Sequence, residues 1–98
     1  MFADEVFIRK VLVNLHCQIF MPQVPIIRSG YEVQSLYLIQ KGKIIVYDQP
    51  LQEELSELNT GSFFGDYQIL FGLISNYNFV VDSEDEATCL TISKEKFL

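Results

Sequence analysis

What most limits the fold of this chain is the placement of its glycines. Gly30, Gly42 and Gly61 each fall between short runs of strand-forming residues. There the chain must turn, and a positive φ costs least at glycine. Ile26 and Ile27 precede the turn signal Arg28-Ser29-Gly30. Residues 35–40 (SLYLIQ) and 43–47 (KIIVY) flank Lys41-Gly42 and predict a hairpin. Further strand candidates are 55–58, 77–81 (YNFVV) and 87–92 (ATCLTI), separated by a polar loop at 48–54, the turn Asn59-Thr60-Gly61-Ser62 and an acidic turn at 82–86. About seven short strands in 98 residues predict a single, mainly β domain: a barrel, roll or sandwich.

Helical periodicity is confined to the flanks and one internal stretch. Phe7, Ile8, Val11, Leu12 and Leu15 form an i, i+3, i+4 stripe that predicts a helix within residues 2–20. Asp4 and Glu5 sit near its start, where negative charge suits the helix dipole, and Pro22 and Pro25 end it. Residues 66–71 form a compact apolar stretch closed by Gly72. Residues 93–98 read as the opening of another helix with Ser93 as its N-cap. The domain plan is therefore a helical segment at 1–22, a β-roll over 23–92 and the start of a truncated C-terminal helix at 93–98.

Composition narrows the function. A hydrophobic fraction of 49%, with eight Phe, is too apolar for a disordered chain. No apolar run approaches the ~20 residues of a membrane span, and acids stand where a signal peptide carries positive charge. The expectation is a soluble, intracellular domain. Thirteen acids against seven bases give a net charge of −6, which opposes phosphate-rich partners, so nucleic acid is not expected. The acids gather at 48–57 and 82–86, read as solvated loops. Cys17 and Cys89 are too few for a disulfide framework and read as small buried hydrophobes. The single His16 has no carboxylate or nucleophile pattern around it. A metal site of the cupin kind needs several His with a carboxylate, so neither an enzyme nor a metal cofactor is expected.

The motifs in order carry more information than any one of them. Ile26-Ile27-Arg28-Ser29-Gly30 is followed by Leu36-Tyr37-Leu38-Ile39, by Lys41-Gly42-Lys43-Ile44-Ile45-Val46-Tyr47, and by Gly61-Ser62-Phe63-Phe64-Gly65-Asp66. This series resembles the cyclic nucleotide-binding domain family. The resemblance covers nearly the whole chain and implies a β-roll of the double-stranded, jelly-roll-like kind. Residues 61–76 then match the family's phosphate-binding cassette, and the tentative ligand-binding residues are Gly65, Asp66, Tyr67, Ser75 and Asn76. A turn leading into a helix N-terminus presents free backbone N–H groups to an anion. Of Phe63 and Phe64, one is expected in the core and one at the edge.

The cassette departs from the family pattern. In ligand-binding members an acid after the cassette glycine bonds the ribose; here it is Asp66, shorter than the usual Glu, and it also reads as a plain helix-N-terminal acid. An Arg beyond the cassette helix grips the cyclic phosphate; the matching position is Ser75, or Asn76 with a register shift of one. No Arg or Lys occurs between Lys43 and Lys94. Tyr67 and Phe71, at i, i+4, read as packing residues rather than base-stacking ones, and Tyr77 or Phe79 is a candidate to fill the pocket from within. The implied ligand is cAMP or cGMP, bound weakly or not at all. The resemblance further implies a regulatory module of a larger protein, of the potassium-channel type, touching the membrane only through that parent. The alternative is a scaffolding β-roll subunit that has lost its ligand. The family's closing helical lid is expected from a longer chain or from a partner.

Overall fold

A computed structural model describes Arg9 and residues 13–48 and 53–97. Among these, the elements are β1 (His16–Phe20), β2 (Pro25–Ile27), β3 (Ser35–Lys41), β4 (Ile44–Asp48), β5 (Glu53–Leu58), β6 (Phe63–Phe64), α1 (Asp66–Phe71), β7 (Tyr77–Val81), β8 (Ala87–Ser93) and α2 (Lys94–Phe97). The strands form two four-stranded sheets, in the orders β1-β8-β3-β6 and β2-β7-β4-β5, and every pairing is antiparallel. This is the expected mainly β roll.

The core lies between the sheets, because alternate side chains of each strand turn inward. On β8, Ala87 and Cys89 are fully buried while Thr88 and Leu90 are only partly so. Phe79 and Val81 of β7, Ile44 and Val46 of β4 and Ile39 of β3 complete the centre. A column of aromatic rings crosses it. Phe20 meets Tyr37 edge-on at 6.1 Å, Tyr37 stacks on Phe64 at 4.8 Å, and Phe64 stacks on Phe79 at 5.3 Å with the planes only 9° apart. Phe64 is buried and Phe63 is 59% exposed, which bears out the division expected of that pair.

Two glycines are fixed by both backbone and space. Gly42 has φ 95°, and a Cβ there would lie 2.8 Å from the Glu86 carbonyl oxygen. Gly65 has φ 89°, and a Cβ would lie 2.6 Å from the Ser35 carbonyl oxygen. The second contact lets the β6–α1 corner press onto the start of β3.

Several sequence expectations need correction. The helical segment placed over 1–22 gives way to strand at His16, so the roll begins there and not at residue 23. Phe7, Ile8, Val11 and Leu12 lie outside the described residues; Val13 is helical. The helical stripe ends at Leu15, and His16–Phe20 instead pairs with β8, His16 opposite Thr91. That partner is remote in sequence, so nothing local announces it. Cys17 consequently lies exposed on β1 rather than buried, while Cys89 is buried as expected. Part of the 48–57 acidic run is strand: Glu53, Glu54 and Glu57 stand exposed on β5. The acidic stretch at 82–86 does lie between β7 and β8. The expected C-terminal helix appears as α2, with Ser93 as the last residue of β8.

Candidate functional site

The cassette begins at the Gly61–Ser62 turn, which is tied to β3 by two backbone hydrogen bonds. The Ile39 N–H donates to the Ser62 carbonyl (3.0 Å) and the Gly61 N–H to the Ile39 carbonyl (2.8 Å). Two residues of β6 then deliver the chain to Gly65, whose left-handed backbone turns it into α1. The helix ends at Gly72, also left-handed at φ 64°. Gly72 N–H donates to the Ile69 carbonyl and Leu73 N–H to the Gln68 carbonyl, a Schellman closure. Ile69 anchors α1 in the core. Tyr67 and Phe71 hold each other at 4.8 Å but remain 60% and 64% exposed, so they pack together without joining the core.

A groove of about 260 Å³ runs beside the cassette. Val46 and Phe79 come from one sheet, Ser56 and Leu58 from β5, and Phe63 through Gln68 from the cassette itself. Gly65, Asp66 and Tyr67 therefore line one cavity. Phe79 is part of its wall, so one of the two side chains considered as internal filling is at the groove, whereas Tyr77 is not among its lining residues. Val46, Ser56, Leu58 and Gln68 were not foreseen. Strand alternation places Ser56 and Leu58 on one face of β5, but only the fold brings that face to the cassette.

Ser75 and Asn76 are not part of this groove. Ser75 is fully buried, at 0% exposure. Its hydroxyl donates to the Tyr77 carbonyl (2.6 Å) and accepts from the Tyr77 N–H (3.2 Å). Its N–H donates to the Tyr31 carbonyl (3.1 Å), and its carbonyl accepts from the Gly30 N–H (2.8 Å). The one proton a serine hydroxyl can donate is thus committed to the backbone. Asn76 is exposed, and its carbonyl accepts from the Ser29 hydroxyl (3.2 Å).

The segment between β2 and β3 links the cassette's end to α2. Glu32 forms an antiparallel bridge with Ile74, and its carboxylate pairs with the Lys94 ammonium. The Lys94 N–H donates to the Gln34 carbonyl (2.7 Å). The hydrogen bond from Lys94, and then its charge, hold the Glu32 carboxyl below the usual range. A second hollow of about 280 Å³ opens along this segment, with Arg28, Tyr31 and Glu32 on its wall. Arg28 is therefore placed at the other hollow and not at the cassette groove, whose lining holds neither Arg nor Lys. Among the described residues no three His, Cys, Asp or Glu are grouped to hold a metal ion, and no helix is long and apolar enough to cross a membrane.

The sequence pattern of the cyclic nucleotide-binding domain family matches residues 18–98. The chain belongs to that family. Its members similar to this domain include an isozyme 2 form of cGMP-dependent protein kinase from Drosophila melanogaster, 32% identical over 76 residues, which covers 74% of this chain and 8% of the kinase. The cGMP-dependent protein kinase 2 of Homo sapiens is 31% identical over 78 residues, covering 74% of this chain and 10% of the kinase. This cyclic nucleotide-binding domain thus spans a tenth or less of the kinases it matches. The fold superimposes on the regulatory subunit of a cAMP-independent protein kinase A from Trypanosoma brucei with a TM-score of 0.80 at 21% identity, over 93% of this chain and 32% of that one. The relatives named here are protein kinases and a kinase regulatory subunit, so the channel parent expected from the sequence gains no support from them.

Proposed function

We propose that this domain is a non-catalytic regulatory module of a protein of the kinase type, and that its cassette holds cAMP and cGMP weakly or not at all. The kinase setting rests on the relatives, whose names describe cGMP-dependent kinases. The weak binding rests on one observation above all: the phosphate-gripping position matches Ser75, buried and closed onto Tyr77, or with a shift of one Asn76, and neither is charged. A hydrogen bond to a charged group contributes about 1.5–3 kcal/mol, so its loss lowers affinity roughly tenfold to a hundredfold. The acidic surface, at −6 overall, adds to that deficit.

The reading does not require an empty regulatory role. A domain of this kind biases the arrangement of neighbouring segments by a difference in affinity between two states, and a partner surface can supply that difference as well as a nucleotide. The alternative, a scaffolding β-roll that only docks on other domains or subunits, is favoured by the same Ser75 geometry. Isothermal titration with cAMP and cGMP, at protein concentrations that reveal millimolar dissociation constants, tests the proposal. Dissociation constants in the millimolar range, or no heat, are expected. Micromolar binding of either nucleotide overturns the weak-binding reading, because it requires the cassette to work without its cation.

A further inference from the structure

Four strands stand at the edges of the two sheets: β1 and β6 in one, β2 and β5 in the other. An edge strand leaves one row of backbone N–H and C=O groups unpaired. It invites another chain unless charge, proline or brevity blocks it. Three of the four edges are blocked in this way. β6 is two residues long, β2 is three residues opening on Pro25, and β5 exposes Glu53, Glu54 and Glu57. β1 has none of these guards. It runs five residues, His16–Phe20, four of them exposed, and among the described residues no strand pairs with its free side.

The sequence of β1 also fits itself. Phe20 stands opposite Ala87 and Gln18 opposite Cys89, and both partners are fully buried. Even-numbered side chains of β1 therefore share the core face, and Cys17 and Ile19 share the other. Ile19 is 60% exposed there. A second copy can be laid antiparallel about a two-fold axis at Gln18. Cys17 then meets Ile19 of the second copy, and Gln18 meets Gln18. Carried one step further, the same register sets Leu15 opposite Met21. Every apolar residue of the outer row faces an apolar one, and the central amide faces an amide.

Charge selects the same partner. Each chain carries −6, so two copies repel over most approaches. No Asp, Glu, Lys or Arg occurs from residue 11 to 27, so this edge brings two copies together without a like charge at the contact. A strongly charged partner strand would find no ion pair there.

We propose that β1 is a self-docking edge, through which two copies of this chain pair antiparallel about Gln18. Their β1-β8-β3-β6 sheets then join into one. The inference is independent of the cassette and of what the cassette binds. Five strand residues a side fall well short of the roughly 20–30 residues of a standard interface, so the dimer is weak and exchanges.

The test is sedimentation equilibrium of the chain from micromolar concentration to about 1 mM. A monomer that converts to a dimer as concentration rises is expected. Ile19→Lys places an ammonium beside the axis in each copy and should weaken the dimer at least tenfold. Because Ile19 is exposed, the melting temperature of dilute protein should not move. Mild oxidation reads the register. Ile19→Cys sets a thiol opposite Cys17 of the second copy, at the ~4.5–5.5 Å Cα separation of paired residues, which a disulfide spans. In the wild type the two Cys17 lie diagonally, roughly 7–8 Å apart. Ile19→Cys should therefore form a covalent dimer at least tenfold faster than the wild type or than Glu57→Cys, which adds a thiol to the guarded β5 edge. A chain that stays monomeric throughout overturns the proposal, and so does a dimer indifferent to Ile19→Lys. Wild-type protein that cross-links as fast as Ile19→Cys overturns the pairing about Gln18.

Discussion

Replacing Ser75 with alanine separates a structural hydroxyl from a ligand-binding one. The side chain makes two hydrogen bonds, one donated to the Tyr77 carbonyl and one accepted from the Tyr77 N–H. Each such bond contributes about 0.5–1.5 kcal/mol net, and a buried group left without its partner costs about 1–3 kcal/mol. Tyr77 is 39% exposed, so water replaces part of what is lost, which sets the cost at about 1–2 kcal/mol. In a domain of this size that corresponds to a fall in melting temperature of about 6–12 °C. Urea and thermal denaturation followed by circular dichroism read it directly, and the urea slope should not change, since the same surface is exposed on unfolding. Binding of cAMP or cGMP, however weak, should be the same in Ser75→Ala as in the wild type. A melting temperature within about 2 °C of wild type, combined with loss of nucleotide binding, refutes the argument. It would mean that the Ser75 hydroxyl leaves Tyr77 and reaches the ligand.

Gly65→Ala should destabilise by about 2–4 kcal/mol, from a strained left-handed backbone and the clash with the Ser35 carbonyl; a wild-type urea midpoint would show that the β6–α1 corner yields. Cys17 is exposed and Cys89 buried, so a thiol reagent should label Cys17 quickly and Cys89 only on unfolding; equal rates in the native state would contradict the β1–β8 pairing. Burial, followed by the nearby Cys17 charge, pushes the Cys89 thiol up to about 11, so the folded state holds that proton more tightly than the unfolded chain. Its contribution is complete below the unfolded thiol's value and is lost as pH rises toward 11; Cys89→Ala should flatten the alkaline limb of a stability-versus-pH curve, and an unchanged limb would show that another group titrates there. The Glu32 carboxyl is held low by Lys94, so its contribution is present above the unfolded carboxyl's value and is lost as pH falls through the folded one. Because the pair is solvated, the acid limb should respond modestly to Glu32→Gln and less at high salt; a salt-independent effect would argue against an ion pair.

The roll was legible because its turns and strands are locally encoded. Gly30, Gly42, Gly61, Gly65 and Gly72 all take positive φ, and the β3, β4, β7 and β8 runs carry the branched and aromatic residues that strands favour. Gly65, Asp66 and Tyr67 line one groove because the corner that presents them is contiguous in sequence. What was not legible depends on distant partners. His16–Phe20 is a strand only because β8 is beside it. Ser75 followed by Asn76 looks like any turn, and its burial comes from Gly30 and Tyr31, far earlier in the chain. The far wall of the groove, Ser56 and Leu58, belongs to the strand expected at 55–58, which the structure extends back to Glu53. Pattern reading has no access to which face of such a strand meets the cassette.

The aromatic column bears on how this domain can change over generations. Phe64 and Phe79 are at once the floor of the groove and the centre of the core. Truncating a buried Phe costs about 3–5 kcal/mol, against a typical total stability of about 5–15 kcal/mol. A lineage therefore cannot reshape the groove through its floor without risking the fold. The rim is different: Ser56, Asp66 and Tyr67 are exposed, Gln68 is half-buried, and none belongs to the core cluster. Single substitutions there leave the scaffold intact while altering charge and hydrogen bonding at the mouth. The same architecture that holds the roll fixed thus leaves the mouth of the groove free to drift, one rim residue at a time.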